Sequence, residues 1–485
     1  MSVSAPQLDW GGMAPFLLLT VTALATLLLD LFLSPRHRVR LTYLGLTGLL
    51  LTMAILVRGF GEGERVVVDM LILDDFSRFF HLVFLLIAAL TVLVSVTYVE
   101  REGIQQGEYY ALILFGTLGM MVMASAADLI MIFLGLEALS IPLYILTGFL
   151  RGNLRSNEAA LKYLLLGAFA SAFLLYGIAF LYGAVGSTRL ERIAAHLSQG
   201  AAWENPLVFL GIGLFLVGLA FKVGAVPFHM WLPDVYEGAP TPVTAFMIAG
   251  TKAAAFAALL RAFGTALTPL RPEWVAPLWV LALLTMGVGN VAALTQQSIK
   301  RMLAYSSIAH AGYLLVALVT GTSRGFSSIL FYLVVYAFMN LGAFAVIIAL
   351  ARQGEERPTL STYAGLSSRH PAMAFAMAVF MFSLAGLPPT GGFMGKFYIF
   401  SAAVEADYVG LTVIAVICSL ISVFFYLRVV VVMYMEEPQE GHPSPVVSPA
   451  ILITLLLATA ATLQLGIMPA GVWDLAVRSI RVFWG

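Results

Sequence analysis

The chain has 485 residues, 61% of them hydrophobic and only 11% charged, with a mean hydropathy of +0.95; an ordinary soluble domain carries about 25% charged residues, so a water-soluble globule is excluded. Lys+Arg and Asp+Glu each number 26, a formal net charge of zero, which argues against a basic nucleic-acid surface or an acidic tail. The one cysteine, Cys418, cannot close an internal disulfide or ligate an iron–sulfur cluster or zinc ion alone, so redox chemistry is expected in partners rather than here.

A helix that crosses a bilayer needs about 20 mostly apolar residues, and the chain divides into about fourteen such stretches. In chain order the predicted spans are 13–33, 41–58, 76–98, 109–126, 129–150, 160–185, 207–231, 241–265, 275–296, 300–320, 325–351, 372–401, 409–435 and 449–470. Run length selects helices over barrel strands, which would alternate in hydrophobicity over about ten residues. No intervening stretch is long enough for a soluble domain, so 1–485 reads as a single membrane domain. The leading MSVSAPQLDWGGM has no positive region before its apolar run, and the first span therefore reads as retained rather than as a cleaved signal.

Arg36, Arg38, Arg40, Arg151, Arg155, Arg352, Arg357 and Arg369 all fall in odd-numbered connections, which places both termini outside by the excess of positive charge in cytoplasmic loops. Arg58, Arg65, Arg189 and Arg192 in even connections weaken that bias. Two spans are interrupted by proline close to a lysine: GLAFKVGAVPFHMWLP, with Lys222 and Pro227, and FSLAGLPPTGGFMGKFYIF, with Pro388, Pro389 and Lys396. Broken helices in corresponding halves point to an ion site near mid-membrane, because unwound backbone is tolerated only where it is buried or lines a wet cavity. The glycines of GIGLFLVG at 211–218 lie inside an apolar span with no preceding strand, so they read as helix-packing residues rather than a nucleotide loop.

A charged side chain at the bilayer centre costs roughly 2.5–3.5 kcal/mol, so such residues are functional candidates by default. Four meet that test best: Glu137 in LIMIFLGLEALSIPLYIL, Lys222, Lys252 in MIAGTKAAAF, and Lys396 beyond the Pro-Pro break. The plain alternative for each is a static ion pair or a snorkelling side chain. Lys162 follows Glu158 by four residues and reads as a helix-end ion pair, and Lys300 beside Arg301 reads as an interfacial, snorkelling residue. His229 and His310 are imidazoles that could relay protons or simply be hydrogen-bonded in the core. Asp30 and Arg428 sit near span ends as anchors or local pairs.

Of the 26 basic residues only five are lysine, at 162, 222, 252, 300 and 396. Guanidinium stays protonated in proteins, whereas a desolvated ammonium can release its proton. Desolvation can shift a lysine by roughly 4–7 kcal/mol, more than the roughly 3.5 kcal/mol needed to move one charge across about 150 mV. A carboxylate such as Glu137, alternately near and far from Lys222, is the kind of partner that would toggle that proton. Codon bias toward arginine would leave lysine where titration is required.

The stretches FKVGAVPFHMWLPDVYEGAPTPVTAFMIAGTKAAAF (221–256), QQSIKRMLAYSSIAHAGY (296–313) and FSLAGLPPTGGFMGKFY (382–398) together resemble the antiporter-like membrane subunits of proton-translocating NADH:quinone oxidoreductase, respiratory complex I, which are related to subunits of multisubunit Na⁺/H⁺ antiporters. Within that family, lysine rather than glutamate at 396, and a chain that ends soon after its fourteenth span, are similar to the type lacking a long lateral helix. The resemblance implies an all-α polytopic fold with two inverted five-helix repeats, over 109–265 and 275–435, and broken helices 7 and 12. N-terminal helices over 1–108 and a C-terminal helix and tail over 449–485 would flank them. It implies that Glu137 and Lys222 form a pair, that Lys252 connects onward and that Lys396 leads to the opposite side; Lys162, His229, Lys300 and His310 match the buried polar residues between the halves. It implies no cofactor or metal in this chain, with FMN, iron–sulfur clusters and quinone in partner subunits of the membrane and peripheral arms. The expected activity is proton translocation coupled to quinone reduction elsewhere, in a bacterial plasma membrane. The rival expectations are a Na⁺/H⁺ antiporter subunit and a subunit of a related membrane-bound hydrogenase.

Overall fold

The computed structural model describes residues 9–34, 37–67, 69–104, 106–199, 205–351, 353–354, 359–438 and 446–484. Arg36, Arg352 and Arg357, used above for orientation, lie outside the described residues. The described chain is nearly all helix: α1 (Trp10–Asp30), α2 (Val39–Arg58), α3 (Asp75–Arg101), α4 (Gly107–Ser125), α5 (Leu129–Thr147), α6 (Leu154–Val185), α7 (Leu190–Leu197), α8 (Pro206–Val223) and α9 (Leu232–Gly238). There follow α10 (Thr241–Ala266), α11 (Arg271–Leu294), α12 (Ile299–Thr320), α13 (Ser323–Leu350), α14 (Pro371–Ala385), α15 (Gly391–Glu405), α16 (Val409–Met435), α17 (Pro449–Ile467) and α18 (Ala470–Ser479). Among the described residues thirteen helices are long and apolar enough to cross a membrane, and the predicted twelfth span is the broken pair α14 and α15.

The helix starts follow capping chemistry. Asp9, Asp74, Asp128, Asn153, Asn205, Ser298, Thr322 and Ser448 each accept a first-turn backbone N–H with the side chain, satisfying donors that would otherwise be orphaned. Both broken helices end their first half on a left-handed residue, Gly224 at φ 77° and Gly386 at φ 85°, a conformation that a Cβ would disfavour. The chain then leaves the helix, so the seventh span stops at Val223 instead of continuing to 231. Besides α9 and α18, which follow the ends of predicted spans, two small elements are too short for a hydropathy window to find. They are an antiparallel hairpin pairing Arg65–Val67 with Leu71–Leu73, and α7, which buries Leu190, Ile193 and Leu197 on one face.

Helices α10, α12 and α13 are enclosed almost all round and form the middle of the bundle, whereas α6, α16 and α17 leave about two thirds of their apolar length uncovered. The uncovered residues, such as Leu161, Leu165, Phe169, Leu420 and Leu456, are large and apolar, as a surface that meets lipid or another membrane subunit requires.

One buried ion pair ties the N-terminal helices to this middle. Arg261 of α10 donates to both carboxylate oxygens of Asp74 at 2.6 and 2.9 Å and to the carbonyl of Ala124 at 3.1 Å. Its guanidinium lies 4.5 Å from the ring centroid of Phe76 and 5.7 Å from that of Phe483, so the α3 start, the α4 end and the C-terminal segment share one cation. Burial alone would raise the Asp74 carboxyl, but Arg261 outweighs it and holds the group below the usual carboxylate range. A carboxyl depressed in this way contributes stability above its unfolded pKa and loses it as pH falls through the folded value. Asp74→Ala leaves Arg261 buried and uncompensated and is expected to cost about 3–5 kcal/mol. The check is the thermal midpoint of the detergent-solubilised protein, which should fall for Asp74→Ala at neutral pH and fall by much less at a pH below the folded pKa of Asp74.

Candidate functional site

Lys222 lies in the last turn of α8, where α6 packs against the broken helix and α5 packs on α6. Its ammonium donates to Ser140 Oγ at 2.7 Å and Tyr163 Oη at 3.1 Å and is 4% exposed. Tyr163 in turn stacks on Trp231, with ring centroids 4.6 Å apart, so the segment after the helix break fixes the aromatic wall beside the ammonium. Glu137 stands one turn before Ser140 on α5 and accepts from Ser171 Oγ of α6. No ion pair within 4.0 Å joins Glu137 to Lys222 among the described residues. A small, mostly apolar void beside Lys222 is lined by Ser140 and Ser171, and each charge is held by a hydroxyl, Lys222 by Ser140 and Glu137 by Ser171, rather than by the other. The carboxylate is also not sealed: it borders a groove of about 480 Å³ on the outer face with Ile141, Leu161 and Leu164, because no described residue packs over that side of α5 and α6.

Lys252 follows a π-helical turn, Met247–Thr251, in α10, the kind of local widening often found at functional positions. Its ammonium donates to the carbonyl of Val223 at 3.2 Å and to that of Ser307 on α12. Lys396 of α15 reaches back across the second break and donates to the carbonyls of Leu384 and Ala385 at 3.1 and 2.9 Å and to Ser419 Oγ at 2.9 Å. Both broken helices thus end their first half with unpaired C-terminal carbonyls, the negative end of the helix dipole, and each end receives a lysine ammonium. Among the described residues none of the three ammoniums has a carboxylate within 4.0 Å.

Between Lys252 and Lys396 lies His310 of α12, fully enclosed. Its Nδ1 meets the hydroxyl of Tyr332 and its Nε2 that of Tyr426 at 3.0 Å; Tyr426 also meets Ser306 Oγ. Tyr313, one turn on, presents its ring 5.1 Å from the Lys396 ammonium and its edge to His310. In chain order, Glu137, Lys222, Lys252, His310 and Lys396 form a row of titratable groups, the last four buried and Glu137 half-buried at the edge of the outer groove.

The remaining candidates divide. Lys162 pairs with Glu158 at 2.7 Å as expected from their spacing, but also with Asp234 at 2.8 Å. Asp234 is held in addition by Arg301 at 2.8 Å, which reaches Glu237 at 3.1 Å. Lys162, Asp234, Arg301 and Glu237 form a charged network on α9, the helix after the first break. Lys300 does not snorkel: it is fully buried and donates to the carbonyl of Ala239 at 2.8 Å, because α9 and its following turn pack over the start of α12. His229 is half-buried. Asp30 is an anchor, paired with Arg38 at 3.0 Å, and Arg428 caps α11 through the carbonyls of Leu294 and Gln296. Sequence reasoning missed Asp234 and Glu237, which lie within the quoted LPDVYEG, and the hydroxyls of Ser140, Tyr163, Ser171, Tyr332 and Tyr426. The carboxylates were legible as two acids close to an intramembrane break; isolated Ser and Tyr in apolar helices carry no such signal.

Residues 126–422 match the family described as NADH:quinone oxidoreductase/Mrp antiporter, TM. NADH-quinone oxidoreductase subunit N of Trichlorobacter lovleyi is 49% identical over 468 residues, 96% of each chain, and that of Chloroflexus aggregans is 47% identical over 488 residues, 100% of each. Among solved structures, a chain of respiratory complex I from Thermus thermophilus with bound aureothin is 39% identical with a TM-score of 0.82, covering 96% of this chain and 99% of that one. A chain of the Mrp complex from Dietzia sp. DQ12-45-1b shares the fold, with a TM-score of 0.86 at 23% identity, covering 98% and 97%.

Isolated buried ammoniums are costly to stability, so Lys222→Met and Lys396→Met are expected to leave the thermal midpoint unchanged or raise it. Unfolding in detergent, followed beside the wild type, checks this; a large fall would make these lysines structural supports.

Proposed function

Because the chain belongs to the NADH:quinone oxidoreductase/Mrp antiporter membrane-subunit family, we propose that it is the N-type membrane-arm subunit of NADH:quinone oxidoreductase and moves protons along the row Glu137, Lys222, Lys252, His310 and Lys396. The reading of its place in the complex rests on identity of 49% and 47% over essentially full length to proteins of that name; the Mrp likeness, at 23% identity, bears on fold. The observation that carries the proton-transfer reading is that three ammoniums lie buried on hydroxyls and carbonyls, with no carboxylate within 4.0 Å among the described residues. An ammonium held in this way can lose its proton without leaving an unpaired buried anion.

Protons enter from the cytoplasmic side and load Lys222, whose charge is favoured or disfavoured by the state of Glu137. They pass by Lys252 and His310, with Tyr332 and Tyr426 as hydroxyl partners, and leave by way of Lys396. The energy comes from quinone reduction in partner subunits, which supply FMN, iron–sulfur clusters and the quinone site; this chain holds no redox centre. Glu137, open to the outer face, requires a protein neighbour, since a carboxylate facing lipid is penalised by about 2.5–3.5 kcal/mol. The membrane is the bacterial plasma membrane, with both termini on the periplasmic side.

Lys222→Ala and Lys222→Arg are both expected to abolish or greatly reduce NADH-driven proton pumping in membrane vesicles while the subunit still assembles; normal pumping by the Arg variant would overturn the titrating-lysine reading. Glu137→Gln should also lower pumping, and unchanged transport in it and in Lys222→Ala together would make the chain a passive scaffold. Purification of the native complex tests the assignment: co-purifying flavin, iron–sulfur clusters and NADH oxidation support it, and their absence favours an antiporter.

A further inference from the structure

At one end of the bundle, away from the lysine row, α14 and α17 leave a groove of about 500 Å³ between them. Its walls are apolar, with Phe375, Leu452 and Leu456 exposed, and its mouth holds Arg369 and His370. Arg369 gives one donor to the carbonyl of Ala364 at 2.8 Å. Its Nε is buried with no hydrogen-bond partner, and no salt bridge joins the residue to an acidic group among the described residues. The same mouth is the N-terminus of α14, a 15-residue helix whose N-cap, His370, makes no side-chain capping bond. A guanidinium, an imidazole and the positive end of a helix dipole therefore meet where an apolar furrow opens.

The length of the furrow identifies what would fill it. It follows α17 from Leu452 to Thr459, a rise of about 10 Å along the axis, which is a third of a hydrocarbon core about 30 Å thick and matches the upper part of an acyl chain below its headgroup. A free anion would use the mouth and leave the apolar walls uncovered, and an apolar protein segment would leave the cationic mouth unpaired. We propose that this groove binds one anionic phospholipid, its phosphate at Arg369 and the α14 N-terminus and an acyl chain along Phe375, Leu452 and Leu456. Basic residues between helices at headgroup level are a recurrent basis for such recognition.

The test places photoreactive p-benzoylphenylalanine at Leu456, and separately at Leu452, in the intact complex. The complex is reconstituted in phosphatidylcholine vesicles containing a minority of phosphatidylglycerol. Mass spectrometry of the irradiated subunit should find lipid adducts enriched in phosphatidylglycerol by about fivefold over its share of the vesicle, undiminished by excess inorganic phosphate. Arg369→Gln should return the ratio to that of the vesicle, and Arg369→Lys should keep most of the enrichment. Adducts in the bulk lipid ratio, an adduct to a neighbouring protein, or enrichment lost to inorganic phosphate would each overturn the proposal. The two reporter positions in an otherwise native chain decide it even if Arg369→Gln fails to assemble.

Discussion

An ammonium inside a bilayer has to be solvated by something, and in this protein hydroxyls serve Lys222 while the ends of broken helices serve Lys252 and Lys396. The two breaks after Val223 and Ala385 interrupt otherwise ordinary spans and leave C-terminal carbonyls with no intrahelical donors. Lys252 fills that need at Val223 and Lys396 fills it at Leu384 and Ala385. Each break and its lysine answer the same deficit from opposite sides. The glycines at 224 and 386 that terminate the half-helices are thus part of the charge arrangement as much as of the fold.

The rest of the bundle keeps that arrangement in place. The enclosed helices α10, α12 and α13 surround the row with apolar contacts, and the Asp74 and Arg261 pair fastens the N-terminal helices and the C-terminal segment to α10. The charged network of Lys162, Asp234, Arg301 and Glu237 secures α9, the segment that resumes after the first break. Neighbouring opposite charges thus fasten segments to one another, whereas Lys222, Lys252 and Lys396 rest on hydroxyls and carbonyls alone.

Much of this was legible beforehand. Span number, the two interruptions and the intramembrane lysines follow from hydropathy and proline position. The family followed from three motif stretches, which the 49% identity to the Trichlorobacter lovleyi subunit bears out. Less was legible where a polar residue's role depends on a distant helix. Lys300 looks interfacial beside Arg301 at a span start, but the turn after α9 covers it. Glu137 and Lys222 look like an ion pair, but the hydrogen bond of each goes to a serine, Ser171 and Ser140, on a neighbouring turn or helix. His310 shows no partner in its own helix, because Tyr332 and Tyr426 reach it from α13 and α16.

By itself the sequence determined the class of protein, the order of its spans, the places where helices break and which charges a bilayer would not tolerate. These properties depend on residue type and near neighbours alone: apolar run length, proline and glycine geometry, and the cost of desolvating a charge. Only the tertiary structure decided what each of those charges touches. Carbonyls at Val223, Ser307, Leu384 and Ala385 are alike in sequence to any others; those at Val223, Leu384 and Ala385 lie at helix ends without intrahelical donors and that of Ser307 lies inside α12, and they become ammonium ligands because the packing brings a lysine from another part of the chain to them.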